Sequence, residues 1–149
     1  MQLIKASHKP DTDSRQPTET FTGNVHMDPI FKADDCMGNN VCFTPGARTF
    51  WHKHERGQIL TVTMGTGLIC SEGEQPQRLQ VGDMVHVPAG EMHWHGATKS
   101  TVMAHTAISL GSKCRFEPWK DPRTYCFAAT TWLHEVEQSD YNKAHEVAK

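Results

Sequence analysis

The chain has 149 residues, with 15 Lys and Arg against 17 Asp and Glu and a formal charge of −2. That length fits one domain of roughly 150 residues, and the charge balance argues against a nucleic-acid surface, which needs a basic stripe. No apolar run approaches the ~20 residues of a membrane helix, and the opening residues MQLIKASHKP lack the apolar core of a secretion signal. A cytoplasmic protein with neither a nucleic-acid nor a membrane partner is expected.

Residues 1–20 are polar, contain Pro10 and Pro17 and show no periodicity, which predicts a mobile arm or an added edge strand. Residues 21–149 are expected to form a single domain with its core over 40–110. Short β-rich runs follow one another there: Asn40–Thr44, Thr49–His52, Gln58–Met64, Gly67–Ser71, Gln77–Gln80, Met84–Val87, Met92–His95 and Thr101–Leu110. Turn signals separate them, among them Pro45-Gly46, Gly65-Thr66-Gly67, Val81-Gly82-Asp83 and Pro88-Ala89-Gly90. Many short strands at this spacing predict an all-β sandwich or barrel. The lack of helical patterns between them argues against parallel β-α-β folding. Residues 111–130, with Pro118 and Pro122, read as an irregular insert. The tail SDYNKAHEVAK predicts one short helix, with Ser139 as its N-cap and Asp140 in its first turn.

Five cysteines (Cys36, Cys42, Cys70, Cys114 and Cys126) are odd in number and scattered, with no C-x-x-C. That is neither a disulfide framework nor a zinc ribbon, and they read as reduced thiols. Histidine is in excess: six of the ten (His52, His54, His86, His93, His95 and His105) lie between positions 52 and 105. Neutral imidazole is the commonest metal ligand.

One constellation is Gly46-x5-His52-x-His54-x3-Gln58-x6-Gly65. Alternate residues of a strand point to one face, so His52 and His54 project together. Gln58, past the turn Glu55-Arg56-Gly57, can bring its carbonyl oxygen back to the same point. The second is Gly82-x5-Pro88-x-Gly90-x2-His93, which would carry a third imidazole on an opposing strand. Three imidazoles and one amide oxygen suit Mn, Fe, Ni, Cu or Zn without choosing among them.

These two blocks resemble the two signature motifs of the cupin superfamily. Gln58 stands where the first motif has an acid, and Ala97 where the second has an asparagine. A narrower likeness rests on Phe21-Thr22-Gly23, Asp28-Pro29, the stretch from Pro45 to His54, Gly57-Gln58, His93-Trp94-His95-Gly96-Ala97 and Thr131-Trp132 with Glu135. It is to the single-domain bacterial cupins that include manganese-dependent hydroxynitrile lyases, a subgroup that also uses glutamine as fourth ligand. The likeness spans about residues 21–110 and touches 131–142.

The resemblance implies a small antiparallel, jelly-roll-type barrel with an N-terminal arm and a short C-terminal helix. It implies one divalent metal held by His52, His54, Gln58 and His93, manganese first, with iron, nickel or zinc as alternatives. His95 shares the strand parity of His93, and His105 lies on the face Met103-x-His105-x-Ala107-x-Ser109 that the likeness places in the pocket. These two are the candidate acid or base, with a pKa suited to neutral pH; a hydrogen-bonded core histidine is the other reading of His105. Val41, Phe43, Leu60, Val62 and Met103 are expected to form a wall apolar enough for an aromatic substrate. Arg48 and Thr49 are candidate substrate contacts, with a structural ion pair equally open to Arg48. Trp51 and Trp94 should face away from the metal, and His86 should face solvent.

Glutamine in place of glutamate leaves a divalent site with a charge near +2 instead of +1, which favours bound anions. The expected function is a metal-dependent lyase acting on a small hydroxy or carbonyl compound, hydroxynitrile-lyase-like activity included. A homo-oligomer, dimer or tetramer, is expected. An Fe- or Ni-dependent dioxygenase on a phenol or diketone is one alternative, and a binding module without turnover is another.

Overall fold

The computed structural model describes residues 1, 3, 4, 14–33, 35–111 and 130–148. Its strands are β1 (Phe21–Thr22), β2 (Val25–Lys32), β3 (Cys36–Phe43), β4 (Arg48–Thr49), β5 (His52–His54), β6 (Gln58–Ser71), β7 (Gln77–Gln80), β8 (Met84–Val87), β9 (His93–Ala97), β10 (Met103–Leu110) and β11 (Thr130–Trp132). One helix, α1 (Gln138–Val147), ends the described chain. Every strand pairing is antiparallel, and together they form a nearly closed barrel. The central path runs β1-β4-β9-β6-β10-β3-β2, with β5, β7, β8 and β11 paired off it.

β6 explains how one strand serves both halves of the barrel. The sequence predicts two strands broken by a turn at Gly65-Thr66-Gly67; the chain instead runs straight through as one long strand that bends. Its first half pairs with β8 and β10 and its second half with β7 and β9. The bend sits at Gly65, whose φ of 71° is open to glycine and not to branched side chains. A Cβ there would stand 1.8 Å from the Val102 carbonyl oxygen.

β7 and β8 have the bounds the sequence predicts. The run Thr49–His52 divides into β4 and β5, and β3 begins four residues before the expected Asn40. β2 escapes pattern reading because Pro29 interrupts it. Proline is tolerated here since β2 is the last strand on its side of the path, and the register shifts between Pro29 and Phe31. In the N-terminal segment, Arg15 pairs with Met27 of β2. Most of the expected irregular insert, with Cys114 and Cys126, lies outside the described residues.

The barrel interior is filled by Phe43, Leu60, Val62, Leu79, Val87 and Met103 among others. A second cluster lies on the outer face, where Trp94, Leu68, Val136, Tyr141 and Ala144 pack α1 against the sheet. Burying an aromatic of this size contributes about 2–3 kcal/mol, and the Tyr141 hydroxyl donates to the Ala97 carbonyl at 2.7 Å. The N-cap of α1 is Glu137, with no side-chain cap bond, so Ser139 lies inside the helix and not at its cap. Asp140 does occupy the first turn, where the helix dipole favours an acid.

Candidate metal centre

The rigid part of the site is a strand pair. His52 of β5 lies opposite His93 of β9, and their rings are 4.2 Å apart between centroids. His54, two residues along β5, places its ring 5.1 Å from His52 and 5.6 Å from His93. His95, two along β9, lies 5.4 Å from His52 and 5.8 Å from His93. The alternation inferred from sequence therefore puts four imidazoles on one concave face. His105 of β10 joins them, 4.8 Å from the His95 ring.

Backbone carbonyls decide which nitrogens point inward. His52 Nδ1 lies 2.9 Å from the Phe50 carbonyl, and His93 Nδ1 lies 3.1 Å from that of Glu91. A carbonyl only accepts, so each Nδ1 carries the proton and donates, and each Nε2 keeps its lone pair. His54 Nδ1 meets the Thr130 hydroxyl at 3.1 Å, which leaves its Nε2 as the inward atom. Gln58 Nε2 donates to Ser109 Oγ at 3.1 Å, turning its Oε1 the other way.

The result is a group of buried polar atoms with no hydrogen-bond partner: His54 Nε2, Gln58 Oε1, His93 Nε2 and His95 Nε2. Buried polar atoms are normally partnered, so this cluster needs a reason. A divalent cation supplies one, and the donor set of neutral nitrogens and an amide oxygen fits it. His52, His93 and His95 bring ring nitrogens within 4.8 Å of one another. His54, the third histidine of the motif, stands beside this triad and is not part of that group, its ring centroid 5.1 Å from His52 and 5.6 Å from His93. His95 is thus placed to reach an ion as well as a substrate.

Burial keeps these rings neutral. It lowers His52 and His95 well below the usual histidine value and lowers His93 too, with neighbouring imidazoles adding to the effect on His52 and His95. His54 falls to about 4, chiefly from burial and then from His93. His105 also falls to about 4 from burial. This corrects the expectation of a base tuned to neutral pH: His105 is unprotonated there, but a weaker base than a free imidazole, because its cationic form has lost its hydration. His105 Nε2 and His95 Nδ1 are 3.3 Å apart, and His105 Nδ1 has no partner.

A cavity of about 790 Å³ opens onto this cluster, lined by His52, His54, Gln58, His95 and His105 among others. Val41 and Thr49 also line it, and the Thr49 hydroxyl accepts from the His95 amide at 3.1 Å. Phe43, Leu60 and Met103 do not reach the cavity; they are fully buried behind it, with Phe43 against His95 and His105. Arg48 is placed elsewhere altogether. Its guanidinium points to the outer face, donates to the Val136 carbonyl at 2.9 Å and stacks 4.6 Å from the Tyr141 ring centroid. It secures the helix instead of touching a substrate. Trp94 packs on Tyr141, away from the histidines, and His86 is exposed.

Three neighbours of the site were not singled out from sequence. Thr130 holds His54, Ser109 holds Gln58, and Trp132 lies 4.7 Å from the His52 ring. Ser109 could be found from its alternation with His105. Thr130 and Trp132 come from β11, whose pairing with β5 has no local signal.

An antiparallel barrel that gathers histidines from facing strands onto a concave wall defines a jelly-roll protein of the cupin type, with a histidine cluster able to hold a metal. A family model for the cupin domain matches residues 39–109. The chain is 47% identical over 95 residues to an (R)-mandelonitrile lyase of Granulicella tundricola, covering 62% of this chain and 72% of that one. A cupin-like protein of Thermotoga maritima superposes with a TM-score of 0.75 at 30% identity, covering 92% of this chain and 97% of that one. The polyketide cyclase RemF of Streptomyces resistomycificus shares the fold, with a TM-score of 0.65 at 14% identity over 96% and 94% of the two chains. The chain belongs to the cupin family.

Proposed function

We propose that the chain is a metal-dependent cupin enzyme of lyase type, acting on a hydroxy or carbonyl carbon and able to cleave cyanohydrins. The observation that carries this reading is the set of bare, buried acceptors on His54, Gln58 and His93 beside His52. The 47% identity to a protein named for mandelonitrile cleavage supports the choice of reaction. His52, His54, Gln58 and His93 would hold the ion, manganese first. When bound, a divalent ion supplies a Lewis acid for a substrate oxygen or a small anion.

The other steps belong to the chain's own residues. Thr49 and Val41 border the substrate beside His95 and His105. With His105 Nε2–H donating to His95 Nδ1, the free His105 Nδ1 accepts the hydroxyl proton as the carbon–carbon bond to the nitrile breaks and the carbonyl forms. The departing cyanide then receives that proton, which restores the imidazole. The 3.3 Å contact between His95 and His105 holds the two rings in register for the transfer.

The test is elemental analysis of the purified protein followed by turnover of mandelonitrile. One divalent ion per chain and hydrogen cyanide release are expected. Metal present with substrate-dependent oxygen uptake and no cyanide would replace the lyase with a dioxygenase. Ligand binding without any turnover would leave a binding module.

A further inference from the structure

The cavity is larger than the chemistry at its histidine end requires. At about 790 Å³ it falls in the upper part of the range for sites that hold drug-sized ligands, roughly 300–1,000 Å³. A one-ring cyanohydrin would occupy only part of it. The remainder extends away from the histidines across β3 and β2, and sheet register shows where it leads.

Two rows of directly paired residues cross the concave face. In one, His105 lies opposite Val41, Val41 opposite Met27, and Met27 opposite Arg15. In the other, Ser109 lies opposite Met37, and Met37 opposite Lys32. All of these residues line the cavity. Strands lie about 4.8 Å apart, so Arg15 stands about 14 Å from His105 and Lys32 about 10 Å from Ser109, measured along the sheet. Between them the wall is largely apolar, with Met27, Pro29, Ile30 and Phe31, and Asn39 is the polar side chain between the two rows. Arg15 is fixed to β2 by two backbone hydrogen bonds to Met27, of 3.0 and 2.8 Å.

Among the described residues lining this far end, the charges have one sign. Arg15 and Lys32 are the charged residues among the described lining, which contains no Asp or Glu. Both are exposed at the rim, where long side chains can fold over a bound group. An apolar passage ending in two cations selects an apolar body that ends in an anion.

We propose that this end of the cavity is a second subsite, and that the substrate is an elongated, largely apolar carboxylic acid whose carboxylate pairs with Arg15 and Lys32 while its hydroxyl or carbonyl end reaches the histidines. The assignment of the reacting end rests on the function proposed above; the far subsite rests on the rows, the apolar wall and the two cations.

Isothermal titration calorimetry with three rigid probes tests it. They are para-(para-hydroxyphenyl)benzoate, its uncharged counterpart para,para-biphenol, and the shorter para-hydroxybenzoate. Each is titrated into metal-loaded and chelator-treated protein, wild type and the double variant R15Q/K32Q. The long acid should bind roughly tenfold more tightly than the biphenol, the low end for charge-assisted hydrogen bonds. The double variant should abolish that advantage, leave biphenol affinity unchanged and keep the wild-type melting temperature. The short acid should be indifferent to the substitutions. Binding is read without turnover, so an inactive protein that keeps the preference removes the lyase reading and leaves the subsite standing. The proposal is overturned if neither long probe binds, if the acid has no advantage, or if the advantage survives R15Q/K32Q. Loss of the advantage on chelation alone would place the carboxylate at the histidine centre and overturn it as well.

Discussion

Folding should become strongly pH-dependent in the metal-free protein, with a sign set by the buried imidazoles. An unfolded histidine titrates near 6.5, whereas burial holds His54 and His105 at about 4. Between those values the unfolded chain binds protons that the folded chain refuses, so stability is full above about 6.5 and falls as pH drops towards 4. At about 1.4 kcal/mol for each pH unit, each of these two rings removes about 3 kcal/mol across that window. His52, His93 and His95 are lowered too and act in the same direction. A domain with a total stability of about 5–15 kcal/mol cannot absorb that loss unchanged. The assay is urea unfolding of chelator-treated protein at pH 7, 6, 5 and 4, compared with H105Q to remove the contribution of acidic groups. The variant should show a slope of stability against pH shallower by about 1.4 kcal/mol per unit, one proton's worth. Identical slopes for the two proteins would refute the claim that burial holds His105 neutral.

Replacing His52, His54 or His93 by alanine should each strip the metal, and full occupancy by elemental analysis in any one variant would remove that residue from the ligand set. Gln58→Glu should retain metal but bind azide or cyanide more weakly, because the site charge falls from near +2 to near +1; equal affinities in titration would show that Gln58 does not face the ion. His105→Ala should lower kcat by roughly 10²–10⁴ with metal content unchanged, and unchanged turnover would move the base elsewhere. Parallel metal analysis of His95→Ala decides between its two placements, since a ligand loses the ion and an acid or base does not. Gly65→Ala should destabilise the fold without touching the site, as the added Cβ meets the Val102 carbonyl oxygen at 1.8 Å; a wild-type midpoint in the same urea assay would show that the bend can relax.

The pattern of histidines was legible in the chain itself. Strand parity alone places His52 with His54 and His93 with His95, because successive side chains of a strand alternate between faces. The turn residues and the short β-rich runs likewise determine an all-β barrel, and β7 and β8 fall where local pattern puts them. What local pattern missed depends on partners far along the chain. The Gly65 bend reads as a turn because glycine pairs mark turns. Only pairing with β10 before the bend and with β7 and β9 after it keeps β6 continuous. Arg48 is open in the sequence to a substrate contact or a structural ion pair; neighbours on a strand face opposite ways, and the segment before α1 supplies the Val136 carbonyl and α1 the Tyr141 ring that claim its side chain. The inward aim of each histidine nitrogen is tertiary for the same reason. It is fixed by Phe50, Glu91 and Thr130, and the last of these reaches His54 only because β11 returns to β5 across 76 residues of sequence. Sequence determined which side chains share a face; long-range pairing decided what each one meets.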